Sequence, residues 1–229
     1  MVATNWQLYD IGQQINEAMF KDGSNSGYVL KPDCLRNNKK RRIKTDELPN
    51  ILKHDIPQYV NIEIISARQL PKPKDLKERT FDPYVELEFY NGKVDDVNLY
   101  CIEGKVGSYK VNKEITALLE KGKQSPDEIL NEFCDPAVTF KTCVVSKNGF
   151  RPIWRQRCEV KYSSNASNLT FVRFLVKCNT SEQKDVVIGV FCSKLSNLKQ
   201  GYRTIPIYDH QGEEYIYSSL FVNIQYGML

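Results

Sequence analysis

Along most of the chain, apolar and polar residues alternate one by one. Val60-Asn61-Ile62-Glu63-Ile64, Tyr84-Val85-Glu86-Leu87-Glu88-Phe89, Thr170-Phe171-Val172-Arg173-Phe174-Leu175-Val176 and Leu220-Phe221-Val222-Asn223-Ile224 all follow this period. A period of two sends neighbouring side chains to opposite faces, so each run predicts a half-buried strand. Turn signals separate the runs: Asn91-Gly92, Asn148-Gly149, Gln200-Gly201 and Gln211-Gly212. Eight strands are predicted, near 60–66, 83–90, 138–146, 155–162, 169–177, 186–193, 202–207 and 215–225. Eight short antiparallel strands at this spacing make a mainly β protein, an antiparallel sandwich.

Three stretches depart from that pattern. Residues 1–33 open with the β-prone Val2-Ala3-Thr4-Asn5-Trp6. Ile11, Ile15 and Met19 then recur at helical spacing, Asp22-Gly23-Ser24-Asn25 stops the helix, and Gly27 to Pro32 runs extended. So short a piece cannot bury its own apolar stripe and is not an independent domain. The stripe is expected to face other chain. Residues 34–58, rich in charge and containing Pro49 and Pro57, read as a basic linker. Residues 59–229 hold the sandwich, with a helical insert at about 92–137. There, Asn112 caps a helix carrying Ile115, Leu118 and Leu119 and ending at Gly122. Ser125-Pro126-Asp127-Glu128 is a capping box opening a second helix with Ile129, Leu130 and Phe133.

Composition narrows the function classes. At 229 residues and 26.5 kDa the chain accommodates one ordinary domain and part of another. A net charge of +4 and a pI near 8.5 permit attraction to an anionic surface. Nucleic-acid binders concentrate Lys and Arg more strongly, so no nucleic-acid partner is expected. The seven cysteines are singletons without a CxxC pair, and only two histidines occur, which argues against zinc. Reduced, mostly buried thiols suit a cytoplasmic protein. No apolar run approaches the ~18 residues of a membrane span, and the N-terminus lacks the pattern of a signal peptide. Membrane contact is therefore expected to be peripheral.

Several segments together resemble the C-terminal end of eukaryotic phosphoinositide-specific phospholipases C. Val2-Ala3-Thr4-Asn5-Trp6-Gln7 resembles the second part of that family's last barrel-strand motif, and Gly27-Tyr28-Val29-Leu30-Lys31-Pro32 matches letter for letter a separate motif that the family carries after the following helix. A C2 domain's signals follow in order: Leu70-Pro71-Lys72, Asp82-Pro83, Asn148-Gly149-Phe150 with Pro152 and Trp154, Val172-Arg173-Phe174, Ile188-Gly189, and Leu198 to Arg203. Most of these have plain structural readings. Asp82-Pro83 begins a strand, Trp154 belongs in the core, and Gly149 and Gly201 are turn glycines needing positive φ.

The resemblance implies a C2 sandwich preceded by the last strand–helix remnant of a TIM barrel. It implies that the parent enzyme hydrolyses phosphatidylinositol 4,5-bisphosphate to diacylglycerol and inositol trisphosphate. The family's two catalytic histidines and the calcium in its active site belong to earlier parts of the barrel, so no catalytic residue is expected in this chain. His54, in the linker, and His210, in Asp209-His210-Gln211-Gly212, stand apart from any catalytic constellation. For the C2 calcium site, Asp82 keeps the family's carboxylate. Arg151 replaces an amide ligand, Cys178 and Thr180 replace two aspartates, and Asp185 lies about one residue from a further acidic position. One or two carboxylates cannot neutralise a divalent cation, so weak or no calcium binding is expected. The rival is a site rebuilt from Asp75, Glu182 and Asp185.

Two basic clusters are candidate contacts with an anionic phospholipid surface: Lys39, Lys40, Arg41, Arg42 and Lys44 in the linker, and Lys72, Lys74, Lys77 and Arg79 in the first sandwich loop. The plainer reading of the linker cluster is a solvated connector, and a third is a nuclear-import signal that would place the chain in the nucleus. The insert either covers a sheet edge or meets a protein partner. The expected partners are thus the membrane, the barrel of the same enzyme, and a protein at the insert. The competing class is a stand-alone C2 adaptor, which has no use for residues 1–33.

Overall fold

A computed structural model describes residues 7–21, 26–30, 57–74, 76, 80–90, 93–101, 104–113, 135–163, 170–180 and 185–228. After one helix, α1 (Ile11–Phe20), come ten strands: β1 (Pro57–Arg68), β2 (Asp82–Tyr90), β3 (Lys93–Cys101), β4 (Ser108–Val111), β5 (Val138–Lys141), β6 (Ile153–Ser163), β7 (Phe171–Asn179), β8 (Val186–Lys194), β9 (Gly201–Tyr208) and β10 (Glu214–Met228). Every pairing is antiparallel. The order is β3-β6-β1-β10-β9-β8-β7-β2-β5-β4. The sheet turns back on itself between β9 and β8, which share one register pair, Val190–Tyr208.

The alternation explains the core. Val60, Ile62 and Ile64 of β1 and Leu220, Val222 and Ile224 of β10 meet Val85, Leu87 and Phe89 of β2 and Val172, Phe174 and Val176 of β7 in one buried cluster. Fully burying each such side chain contributes about 1.5–3 kcal/mol. Trp154 is buried among them, as its motif predicts.

Four expectations need correction. Among the described residues the strands number ten, because β3 and β4 occupy residues that the sequence pattern gives to the helical insert. The insert's expected helices lie, beyond Lys113, outside the described residues. The strand expected over 138–146 stops at Lys141. Gly201 does adopt a positive φ of 91°, but Gly149 is not among the glycines that do. Gly149 is required for space: a Cβ there would sit 2.1 Å from the Phe81 ring.

The fourth correction concerns α1. Asp10 caps it, its side chain accepting from the Gln13 N–H at 2.9 Å. Its stripe does find cover within this chain. Ala18 is buried with Tyr90, Phe171 and Cys192, and Ile11, Ile15 and Met19 pack against them. The helix thus lies on the outer face of β2, β7 and β8. Apolar surface is left over nearby: Leu8, Tyr28 and Leu30 are exposed, Tyr28 to 85%. Among the described residues no helix is long and apolar enough to cross a membrane.

Candidate functional site

Two regions carry polar chemistry, a helix seam and a loop end. The seam follows from strand parity. While Val85, Leu87 and Phe89 point inward, Glu86, Glu88 and Tyr90 point to the outer face. Opposite them on β7, Arg173 and Lys177 do the same. Lys177 Nζ lies 2.7 Å and Lys141 Nζ 3.0 Å from the two oxygens of Glu86. Burial alone would raise the Glu86 carboxyl's pKa, but the two ammonium groups outweigh it and hold the group below its ordinary value. One strand step on, Arg173 Nη1 donates to Glu88 Oε2 at 2.7 Å, and the Tyr90 hydroxyl donates to the same oxygen at 2.8 Å. Burial, then the Glu88 charge, drives the Tyr90 hydroxyl's pKa upward. Arg173 Nε donates to Gln14 Oε1 of α1 at 2.6 Å.

The loop end gathers the segments after β1, before β6, between β7 and β8, and in the first part of β10. Leu70 N–H donates to Gly149 O and Gln69 N–H to Phe150 O, so the first two segments are zipped together. Asn148 closes its own loop, accepting from Arg151 N–H and donating to Arg151 O, both at 3.0 Å. Ser218 Oγ donates to Gln69 O, which brings the irregular start of β10 alongside. The outcome is an exposed mixture of cations, Lys72, Lys74, Lys147 and Arg151, with apolar tips, Phe150, Ile216 and Tyr217.

Asp82 and Asp185 do come to one end of the sandwich, where both charges act on the buried Cys178. Three of their oxygens already accept hydrogen bonds. Asp82 Oδ1 accepts from the Lys147 N–H at 2.7 Å. Asp185 Oδ2 accepts from the Tyr84 hydroxyl at 2.8 Å, and Oδ1 from the Thr180 N–H at 3.2 Å. Burial and this bond to Asp185 push the Tyr84 hydroxyl's pKa up. Calcium needs six to eight oxygens, several of them anionic. Among the described residues no group of three His, Cys, Asp or Glu is placed to hold a metal. Among the described residues, the two carboxylates of Asp82 and Asp185 are too few to hold calcium.

Lys77, Arg79, Asp75, Glu182, His54 and the cluster Lys39, Lys40, Arg41, Arg42 and Lys44 lie outside the described residues. His210 is exposed in the turn after β9. Sequence reasoning places Arg173 only within a strand motif and misses its partners Gln14 and Glu88. The available signal was a cation at an outward position in an otherwise apolar run.

Two family models match this chain. Residues 1–34 match the model described as phosphatidylinositol-specific phospholipase C, Y domain, and residues 58–98 and 113–209 match the C2 domain. The 1-phosphatidylinositol 4,5-bisphosphate phosphodiesterase 1 of Candida albicans is 32% identical over an alignment covering 99% of this chain and 19% of that protein. Its namesake from Saccharomyces cerevisiae is 34% identical, covering 98% of this chain and 23% of that protein. Inactive phospholipase C-like protein 2 of Mus musculus is 27% identical over 98% of this chain. The crystal structure of L. pealei PLC21 superposes with a TM-score of 0.62 at 23% identity, covering all of this chain and 23% of that one, and supports the fold. The chain spans about a fifth of the length of the two fungal relatives. With α1 inside the first match and most of the sandwich inside the second, the chain belongs to the C2 domain family, joined to a Y-domain segment as in the phosphoinositide phospholipases C.

Proposed function

We propose that this chain is a C-terminal portion of a phosphoinositide phospholipase C that hydrolyses phosphatidylinositol 4,5-bisphosphate to diacylglycerol and inositol trisphosphate. Within that enzyme it acts as a non-catalytic module, seating the catalytic barrel and holding it at an anionic membrane surface. The active-site calcium and the catalytic histidines belong to the rest of the enzyme. The observation that carries this reading is the loop end. Its carboxylates are engaged internally, while Lys72, Lys74, Lys147 and Arg151 are exposed beside Phe150, Ile216 and Tyr217. Cations among apolar tips suit a surface that is anionic outside and hydrocarbon within. With Asp82 and Asp185 accepting from the protein's own donors and Arg151 placing positive charge beside them, membrane contact on this reading is independent of calcium.

Liposome sedimentation tests the proposal. The 229-residue chain should bind vesicles containing phosphatidylserine in EDTA, equally well at millimolar calcium, and less well as salt rises. Each of Lys72→Gln, Lys74→Gln and Arg151→Gln should weaken binding about fivefold, equivalent to about 1 kcal/mol per charge. Binding that requires calcium, or that ignores salt, would overturn it.

A second reading draws on the inactive Mus musculus relative, which aligns with as much of this chain as the phosphodiesterases do. On that reading the same module belongs to a catalytically silent adaptor. The chain alone hydrolyses nothing under either reading, so the assay that separates them is phosphodiesterase activity of the full-length protein.

A further inference from the structure

Of the ion pairs between described residues on the outer face, only Arg173–Glu88 extends to the helix, through the guanidinium's second nitrogen. We infer that the outer face of β2, β7 and β8 is a receptor for one amphipathic helix, α1, and that the Arg173–Gln14 hydrogen bond sets the register in which that helix docks. Apolar packing alone would not set it. The stripe offers one buried alanine and three partly buried side chains, and hydrophobic attraction has no direction. A helix held only so can slide or roll with little penalty.

The polar node removes that freedom. Gln14 is only 4% exposed although it is uncharged and polar. Its Nε2 donates to the Tyr9 carbonyl at 2.6 Å, which leaves Oε1 facing Arg173. Arg173 is fixed from the other side by Glu88, and Glu88 by Tyr90. Its planar fork therefore presents Nε at one point on the sheet. Moving α1 by a turn would bury both Nε and Oε1 without partners, a loss that apolar packing in the new register would not offset. Two outer interactions act at the same register. The Lys21 ammonium sits 4.9 Å over the Tyr208 ring, and the Tyr9 ring lies against Gly212, where a Cβ would approach to 3.0 Å. The helix this face accepts thus needs an amide among its apolar positions. Since the Y-domain match contains α1, the inference deepens the proposed function.

Hydrogen exchange read by mass spectrometry on the 229-residue chain tests it, without lipid or phosphodiesterase activity, so its result is independent of the membrane assay. A ten-residue helix is marginal by itself, so protection of its amides reports docking. Gln14→Met keeps the bulk and removes the acceptor. Exchange of residues 14–21 should rise at least tenfold, while peptides from β2 and β7 stay within twofold of the parent. Arg173→Lys retains a charge for Glu88 but loses the fork, and should give the same helix-specific change. Unchanged helix protection in Gln14→Met would overturn the inference. Equal acceleration of helix and sheet in that variant would overturn it too, because Gln14 would then belong to global stability. Should Arg173→Lys fail to fold, Gln14→Met decides alone.

Discussion

The seam and the loop end use similar side chains to opposite ends. At the seam, Glu86 and Glu88 meet Lys141, Lys177 and Arg173, and of these five only Lys141 has a side chain close to half exposed. At the loop end, Asp82 and Asp185 accept from two backbone N–H groups and a tyrosine, and the cations stand in solvent. Carboxylate–cation pairing turned inward fixes one part of the chain on another. Carboxylates satisfied by backbone leave the nearby positive charge available for something outside. The first region should therefore answer to mutation mainly in stability, the second mainly in binding.

The largest test of that contrast is Arg173→Met. It strands the Glu88 carboxylate, whose side chain is 12% exposed, and should cost about 3 kcal/mol in urea unfolding. Lys74→Gln, in the same assay, should change stability by less than about 0.5 kcal/mol. If both fall equally, the division into inward and outward charge is wrong. Next in size is Gly149→Ala. Here the loop end has one stability-bearing position, because the added methyl collides with the Phe81 ring. A loss of about 1–3 kcal/mol is expected, read as a lower thermal midpoint.

The smallest effect sharpens the seam itself. The Glu86 carboxyl titrates below its ordinary value of 4.5 in the folded protein. A group with a depressed folded pKa binds fewer protons folded than unfolded, so it stabilises the fold above the unfolded value. That contribution should be lost as pH falls from about 4.5 through the lower folded value. Glu86→Gln should flatten this part of the stability profile, and an unchanged acid limb would count against the Lys177–Glu86–Lys141 arrangement.

What could be read from the sequence depended on how local the cause was. Alternating runs such as β2 and β7 announce themselves, because both the outward and inward sets lie within a few residues. β3 and β4 did not. They are the two edges of the sheet, and edge strands carry polar residues on open sides, which blurs the alternation. β4 is also only four residues long, with three of them exposed. Gly149 looked like a turn glycine since its true constraint, Phe81, lies 68 positions away in sequence and next to it in space. Gln14 drew no notice in the sequence for the same reason, its partner Arg173 being 159 residues distant. The acidic loop positions were found, but their hydrogen-bond donors were not, as backbone N–H groups leave no trace in composition.

The corner where β8 meets β9 has a practical consequence. One rung joins the halves there, and α1 straps across it, with Ile11 and Ile15 on one side and Lys21 on Tyr208 at the other. Excising the sandwich from Pro57 onward, the natural cut for anyone wanting the domain by itself, would peel off that strap. Tyr90, Phe171 and Cys192 would then be bare, and the trimmed fragment would report on a looser object than the sandwich of the intact chain.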